Sequence, residues 1–161
     1  MNLRDLLNST HQILDAARVR HALIGGLALG AHGVQRFTND VDWLVHGDDR
    51  LRMKPALLSA GFSLIHETPE VAHFSGHGPV AVLFANRPLS QGMIAESPEL
   101  PDTKIKCLRS EAIIGLKIQA YINAPKRELR DQADIQALIE ANPKLDWTKI
   151  NPDIFGSMIQ A

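Results

Sequence analysis

Apolar residues recur at helical spacing at the start of the chain. Leu3, Leu6, Leu7, Ile13, Leu14 and Ala17, with Thr10 on the same stripe, predict an amphipathic helix over 3–18. The period then changes. Ala22-Leu23-Ile24 reads as a short buried strand ended by Gly25-Gly26, and residues 26–32 as a short helix stopped by Gly33. Val41 to Val45 reads as a strand. Asp49 is expected to cap a helix running to about Ala60, closed by Gly61. Phe62–His66, Val71–Phe74 and Val80–Phe84 read as strands, the last two joined by Ser75-Gly76-His77-Gly78-Pro79. Ser90–Ala95 is expected as a short helix and Lys104–Cys107 as a short strand. Ser110 is expected to cap a helix through Ile122. A second helix covers about 127–141 before Pro143, and the tail 146–158 reads as helical with a break near Pro152.

Strands alternating with helices predict an α/β (α+β) fold, with a mixed β-sheet core, an N-terminal helix and C-terminal helices packed on it. The 161 residues fit a single domain, its core at about 19–86 and its helical part at about 87–161. A net charge of -1 argues against a long nucleic-acid footprint. Cys107 is the single cysteine, so no intramolecular disulfide forms and a reducing compartment suits the chain. No apolar run approaches about eighteen residues, and the first residues, MNLRDLLNST, contain no long apolar segment. A cytoplasmic protein without a membrane span is expected.

The candidate chemistry lies in two short stretches. Gly25-Gly26 at a strand-to-helix junction lets backbone approach a ligand closely, and the amides of the helix start favour an anion. Asp40 and Asp42 are spaced i, i+2, so alternation puts both carboxylates on one face of a strand, roughly 6.7 Å apart at Cα. Two such carboxylates can converge on one hard divalent cation. The alternative, a solvated face of an edge strand, conflicts with the apolar neighbours Val41, Trp43 and Val45.

The run Gly25-Gly26-Leu27-Ala28, His32-Gly33 and Arg36-Phe37-Thr38-Asn39-Asp40-Val41-Asp42 resembles the nucleotidyltransferase fold of the DNA polymerase beta-like superfamily. Within it the chain is similar to small bacterial minimal nucleotidyltransferases and abortive-infection toxin-like nucleotidyltransferases. The stretch from Leu108 to Lys117, with Arg127–Asp134, extends the likeness over about residues 20–140. The resemblance implies a nucleotidyltransferase-type mixed sheet, a nucleoside triphosphate as substrate, and Mg²⁺ (or Mn²⁺) as cofactor. It implies Gly25 and Gly26 at the triphosphate, Asp40 and Asp42 as catalytic metal ligands, and Arg36 and Thr38 as phosphate-binding residues. It leaves the acceptor open: a tRNA end, a protein hydroxyl or a small molecule.

Relatives carry a third carboxylate on a later strand, and this chain has Ala81 where it is expected, with no acid anywhere between Val71 and Arg87. Three accounts stand: a shifted register, replacement by His73 or His77, or a silent binding protein such as a toxin–antitoxin component with a partner protein. A zinc site at His73-x3-His77 lacks a third ligand, and a surface turn explains the pair better. Histidines 11, 21, 32, 46 and 66 are scattered and form no constellation along the sequence.

Two charges fall on apolar helix faces. Lys117 lies within the arc of Ile113, Ile114, Leu116, Ala120 and Tyr121, and Asp131 lies between Leu138 and Ile135. A charge on an inward face must be paired or reach a polar site. A Lys117–Asp131 ion pair and a phosphate-binding Lys117 supported by Asp131 are both compatible with this. Arg127–Asp131 and Arg130–Asp134 are further i, i+4 pairs.

Overall fold

Residues 1–150 are described in a computed structural model. The described residues divide into two compact units: Met1–Ala28 with Phe37–Leu108, and Leu29–Arg36 with 109–150.

The first unit is built on one five-stranded sheet. In chain order its elements are α1 (Leu3–Ala16), β1 (His21–Ile24), the first turn of α2 (Gly25–Ala31), β2 (Val41–His46), α3 (Arg50–Ser59), β3 (Ser63–Glu67), β4 (Val71–Ser75), β5 (Val80–Ala85) and α4 (Pro88–Ala95). The strand order is β1-β2-β5-β4-β3. Only β2 and β5 pair in parallel; the other neighbours are antiparallel. The sheet is therefore mixed, as the alternating pattern predicts. β2 lies inside it, and Val41, Trp43, Leu44 and Val45 are fully buried. Burial on both faces is what an interior strand requires.

The polar residue on the stripe of α1 has a definite role. Thr10 is fully buried; its hydroxyl donates to the Leu6 carbonyl at 2.8 Å and accepts from the Trp43 indole N–H at 3.0 Å. This satisfies the one polar atom of the largest core side chain, which would otherwise be costly to bury.

Asp49 precedes α3 at its capping position, but its side chain makes no capping hydrogen bond. The carboxylate is occupied elsewhere. It accepts from the Arg20 backbone N–H at 2.8 Å and from the Arg20 guanidinium at 2.9 Å through each oxygen, and it also pairs with Arg52. Two guanidiniums outcompete a helix amide because charge-assisted bonds are the stronger ones. The predicted strand at Lys104–Cys107 is reduced to isolated bridges, Leu23 with Cys107 and Glu99 with Lys106.

The second unit contains the last turn of α2, α5 (Ser110–Asn123) and α6 (Glu128–Ala141), the two helices joined through a tight 3-10 turn at Pro125–Arg127. Ser110 is the first residue of α5, not its cap; Arg109 holds the cap position, with no side-chain capping bond. The expected tail helix is a 3-10 turn at Trp147–Lys149, and its remainder from 151 lies outside the described residues. Among the described residues no helix is long and apolar enough to cross a membrane.

Asp49 yields a pH prediction. Hydrogen bonds from Arg20 hold its carboxyl down at about 2, against an ordinary value of 3.8. A depressed folded-state value stabilises the protein above the ordinary value, and that stability is lost as pH falls towards 2. Urea unfolding followed from pH 5 down to pH 2 is expected to show this loss, and Asp49→Asn is expected to flatten it.

Candidate functional site

The sequence-predicted residues fall into two groups, one in each unit. In the first unit, β1 ends at Ile24 and the chain turns at Gly25 into α2. Gly25 has φ +75, a left-handed backbone that side chains other than glycine resist. A Cβ there would lie 2.0 Å from an Asp42 carboxylate oxygen. A Cβ on Gly26 would lie 2.8 Å from the Thr38 Cβ. Neither glycine is interchangeable with alanine, because Asp42 and Thr38 fill the space a side chain would take. The glycine turn and the acidic strand are thus two halves of one packed feature.

Asp42 is the second residue of β2, and Asp40 stands just before that strand. The Thr38 hydroxyl donates to the Asp40 carboxylate at 3.1 Å, which orients it and occupies one of its lone pairs. Gly25, Gly26, Thr38, Asp40 and Asp42 therefore cluster at one end of β1 and β2. Among the described residues, no three His, Cys, Asp or Glu side chains gather to hold a metal ion by themselves. The donors present are hard carboxylate oxygens, which suit Mg²⁺, an ion commonly bound by one or two carboxylates together with substrate phosphates.

The strand register bears on the missing carboxylate. Asp42 pairs with Ile24 on one side and with Ala81 on the other; Ala81 pairs in turn with His73, and His73 with His66. Paired residues share a sheet face. Ala81 is thus the immediate neighbour of Asp42, and a frame shift does not account for the missing acid. His73 stands on the same face two strands from Asp42, roughly 10 Å across the sheet. Its ring lies 5.9 Å from that of His66. His77 is engaged elsewhere: its Nε2–H donates to the Ala60 carbonyl at 3.0 Å, and its ring packs edge-on against Phe62.

The second unit contains the other group. Lys117 of α5 pairs with Asp131 of α6 at 3.5 Å, as the helix faces predict, and more closely with Asp134 at 2.8 Å. Arg36 also pairs with Asp134. Arg127 bonds Asp131 at 3.0 and 3.3 Å. Asp131 is fully buried, and its charge is compensated by Lys117 and Arg127. Burial raises the Asp134 carboxyl, but the neighbouring Lys117 and Arg36 outweigh it and hold it below its ordinary range. The sequence missed this use of Asp134. The expected Arg130–Asp134 pair is not what forms: among the described residues, the ion pairs of Asp134 are with Lys117 and Arg36. The available signal was its i, i+3 spacing from Asp131, which places both acids on one helix face.

Solved structures share this arrangement of elements. The antibiotic-resistance factor ANT(2'')-Ia superposes with a TM-score of 0.69 at 16% identity, over 97% of this chain and 90% of that one. The lincosamide antibiotic adenylyltransferase LnuA gives 0.61 at 16% identity, over 85% and 96%. An antigenic nucleotidyltransferase-like protein from Paracoccidioides brasiliensis gives 0.57 at 18% identity, over 98% and 86%. No protein-family model and no curated protein sequence matches the chain. The fold is the nucleotidyltransferase fold, an α/β arrangement on a mixed sheet, as the Gly-Gly and Asp-Val-Asp motifs imply.

Two stability predictions follow from the packing. Gly25→Ala is expected to cost at least about 1–2 kcal/mol in urea unfolding from backbone strain alone. Part of any further cost should be recovered when Asp42→Ala is combined with it, because the two sites share one space. In the second unit, Asp131→Ala is expected to cost about 1–3 kcal/mol from the loss of a fully buried, hydrogen-bonded acid, with Lys117 still paired to Asp134. Arg127→Ala, at a side chain that is half exposed, should cost under about 1 kcal/mol.

Proposed function

We propose that the protein transfers a nucleotidyl group from a nucleoside triphosphate to an acceptor hydroxyl, releasing pyrophosphate. The observation that carries this reading is the contact between the glycine turn and Asp42. Within a nucleotidyltransferase fold, a backbone turn without side chains and a carboxylate converge on one spot. Open backbone suits a triphosphate, and carboxylates suit the divalent ion that accompanies it. In this reading Gly25 and Gly26 admit the triphosphate, and Asp40 and Asp42 hold the metal. Thr38 keeps the Asp40 carboxylate oriented. Mg²⁺ or Mn²⁺, when bound, would neutralise charge on the phosphates and the acceptor oxygen.

The second group, Arg36, Lys117, Asp131 and Asp134, supports a structural role first, because each of its charges already has a partner within its own unit. A phosphate contact from Lys117 or Arg36 would have to compete with Asp134. The acceptor class that the antibiotic adenylyltransferases ANT(2'')-Ia and LnuA suggest is a small hydroxylated molecule. A tRNA end and a protein hydroxyl are the other acceptors to test.

Ala81 beside Asp42 bears on rate. A general base contributes about 10²–10⁴-fold, so turnover well below that of an enzyme with a third carboxylate is expected. The test incubates the purified chain with each labelled nucleoside triphosphate, Mg²⁺ or Mn²⁺, and panels of RNA, protein and small hydroxylated acceptors. Metal-dependent label transfer that disappears in Asp42→Asn is the expected result. Calorimetric nucleotide binding without transfer to any acceptor would sink the enzyme reading and leave a binding protein, as in a toxin–antitoxin pair.

A further inference from the structure

The first unit contains a cavity of about 570 Å³ that the glycine turn and its aspartates do not line. It opens at the other end of β1 and β2. There His21 pairs with Val45, whereas Ile24 pairs with Asp42 at the glycine end. Position 46 is four residues beyond Asp42, roughly 13 Å along the strand.

Four cations line this cavity: Arg18, Arg20, Lys104 and Lys106. One acid lines it with them, Asp15, and Asp48 stands beside Arg20 and His46. The Arg20 guanidinium is held by Asp49, but that carboxylate is shared with Arg52, so the three together remain positive. The whole chain carries a net charge of only -1, so this surplus is a local concentration and does not reflect general composition. Arg18 adopts φ +58, one of two non-glycine residues with positive φ among those described. That left-handed residue closes α1, with the Val19 N–H donating to the Leu14 carbonyl at 2.9 Å, and so fixes where Arg18 leaves the helix.

The histidines that look scattered in the sequence meet here. His21 is buried, and its Nδ1–H donates to the Val19 carbonyl at 2.6 Å. Its Nε2 is then an acceptor, and it lies 2.9 Å from His11 Nδ1, which must donate to it. Burial lowers the His21 value, which keeps that ring neutral and in this tautomer. His11 therefore has its inner nitrogen committed and its Nε2 left to meet whatever enters. His46 is fixed in the complementary sense. The Asp48 backbone N–H donates to its Nδ1 at 3.2 Å, so the proton of the neutral ring sits on Nε2. The T-shaped stack of His21 on Trp43, with centroids 5.0 Å apart, ties this relay to the core. Ile94 and Ala95 of α4 provide an apolar wall.

From these features we infer that the cavity is a binding site for a small phosphomonoester, separate from the glycine turn. The cations and the His46 Nε2–H would hold the phosphate, and the apolar wall the organic body. The volume lies within the usual range of small-ligand pockets, roughly 300–1,000 Å³. A concave site of this size favours a small molecule over a nucleic-acid strand, which tracks an extended basic stripe. The inference does not rest on the proposed transfer reaction.

The test uses AMP as probe and the ¹⁵N-labelled full chain in EDTA, so that no divalent ion supports binding at Asp40 and Asp42. Imidazole ¹⁵N signals are followed by NMR. Saturable shifts of the His11 and His21 rings are expected. The double variant Lys104→Ala/Lys106→Ala should weaken them by about tenfold or more, with the thermal melt unchanged because both side chains are exposed. Asp42→Asn should leave them as they are. Absent or unsaturable shifts would overturn the inference, as would equal binding by the lysine variant or equal weakening by Asp42→Asn. A short oligoribonucleotide that binds there more than about tenfold tighter than AMP would also overturn it, in favour of a nucleic-acid surface.

Discussion

Asp42 and a side chain at position 25 cannot occupy the same space. That exclusion links the turn after β1 to the start of β2 and makes the end of the sheet a site. Had residue 25 any Cβ, the carboxylate would have to leave or the turn would have to open. The same logic repeats one residue on, where Thr38 fills the space beside Gly26 and reaches back to Asp40. The glycine turn and the acidic strand are therefore not independent features that coincide in one place. They are one packing arrangement, and losing either half disturbs the other.

Charge is handled in each unit by a buried carboxylate shared between cations. Asp49 is shared by Arg20 and Arg52 in the first unit. Asp131 is shared by Lys117 and Arg127 in the second, with Asp134 taking Lys117 and Arg36. A buried ion pair is weak support for net stability, because desolvation cancels much of the attraction. It is strong support for geometry, because removing one partner is costly. These clusters fix where strands and helices meet. The lone cysteine takes no part in this: burial pushes the Cys107 thiol up to about 12, leaving it protonated and unreactive at neutral pH.

Much of the fold was legible along the chain because periodicity is local. The elements 3–16, 21–24, 41–46, 71–75, 80–85 and 128–141 fall within a few residues of expectation. The departures lie at element ends. Asp49 and Ser110 are good capping residues by type, yet neither caps. Asp49 is drawn off by Arg20, 29 residues away. For Asp49 a long-range partner overrode a local preference, and no short window of sequence contains that partner.

That Gly25-Gly26 and Asp40-Val41-Asp42 could lie together was legible from spacing, since both are short-range patterns that follow from backbone freedom and strand alternation. What the pattern could not contain is pairing between distant strands. Only the register sets Ala81 beside Asp42 and His73 beyond it. Only the packing of α1 against the sheet brings His11 to His21, ten positions apart yet 2.9 Å between ring nitrogens. Residue type and periodicity are properties of neighbours along the chain. Register, shared space and hydrogen-bonded relays belong to residues that become neighbours only when the hydrophobic core closes.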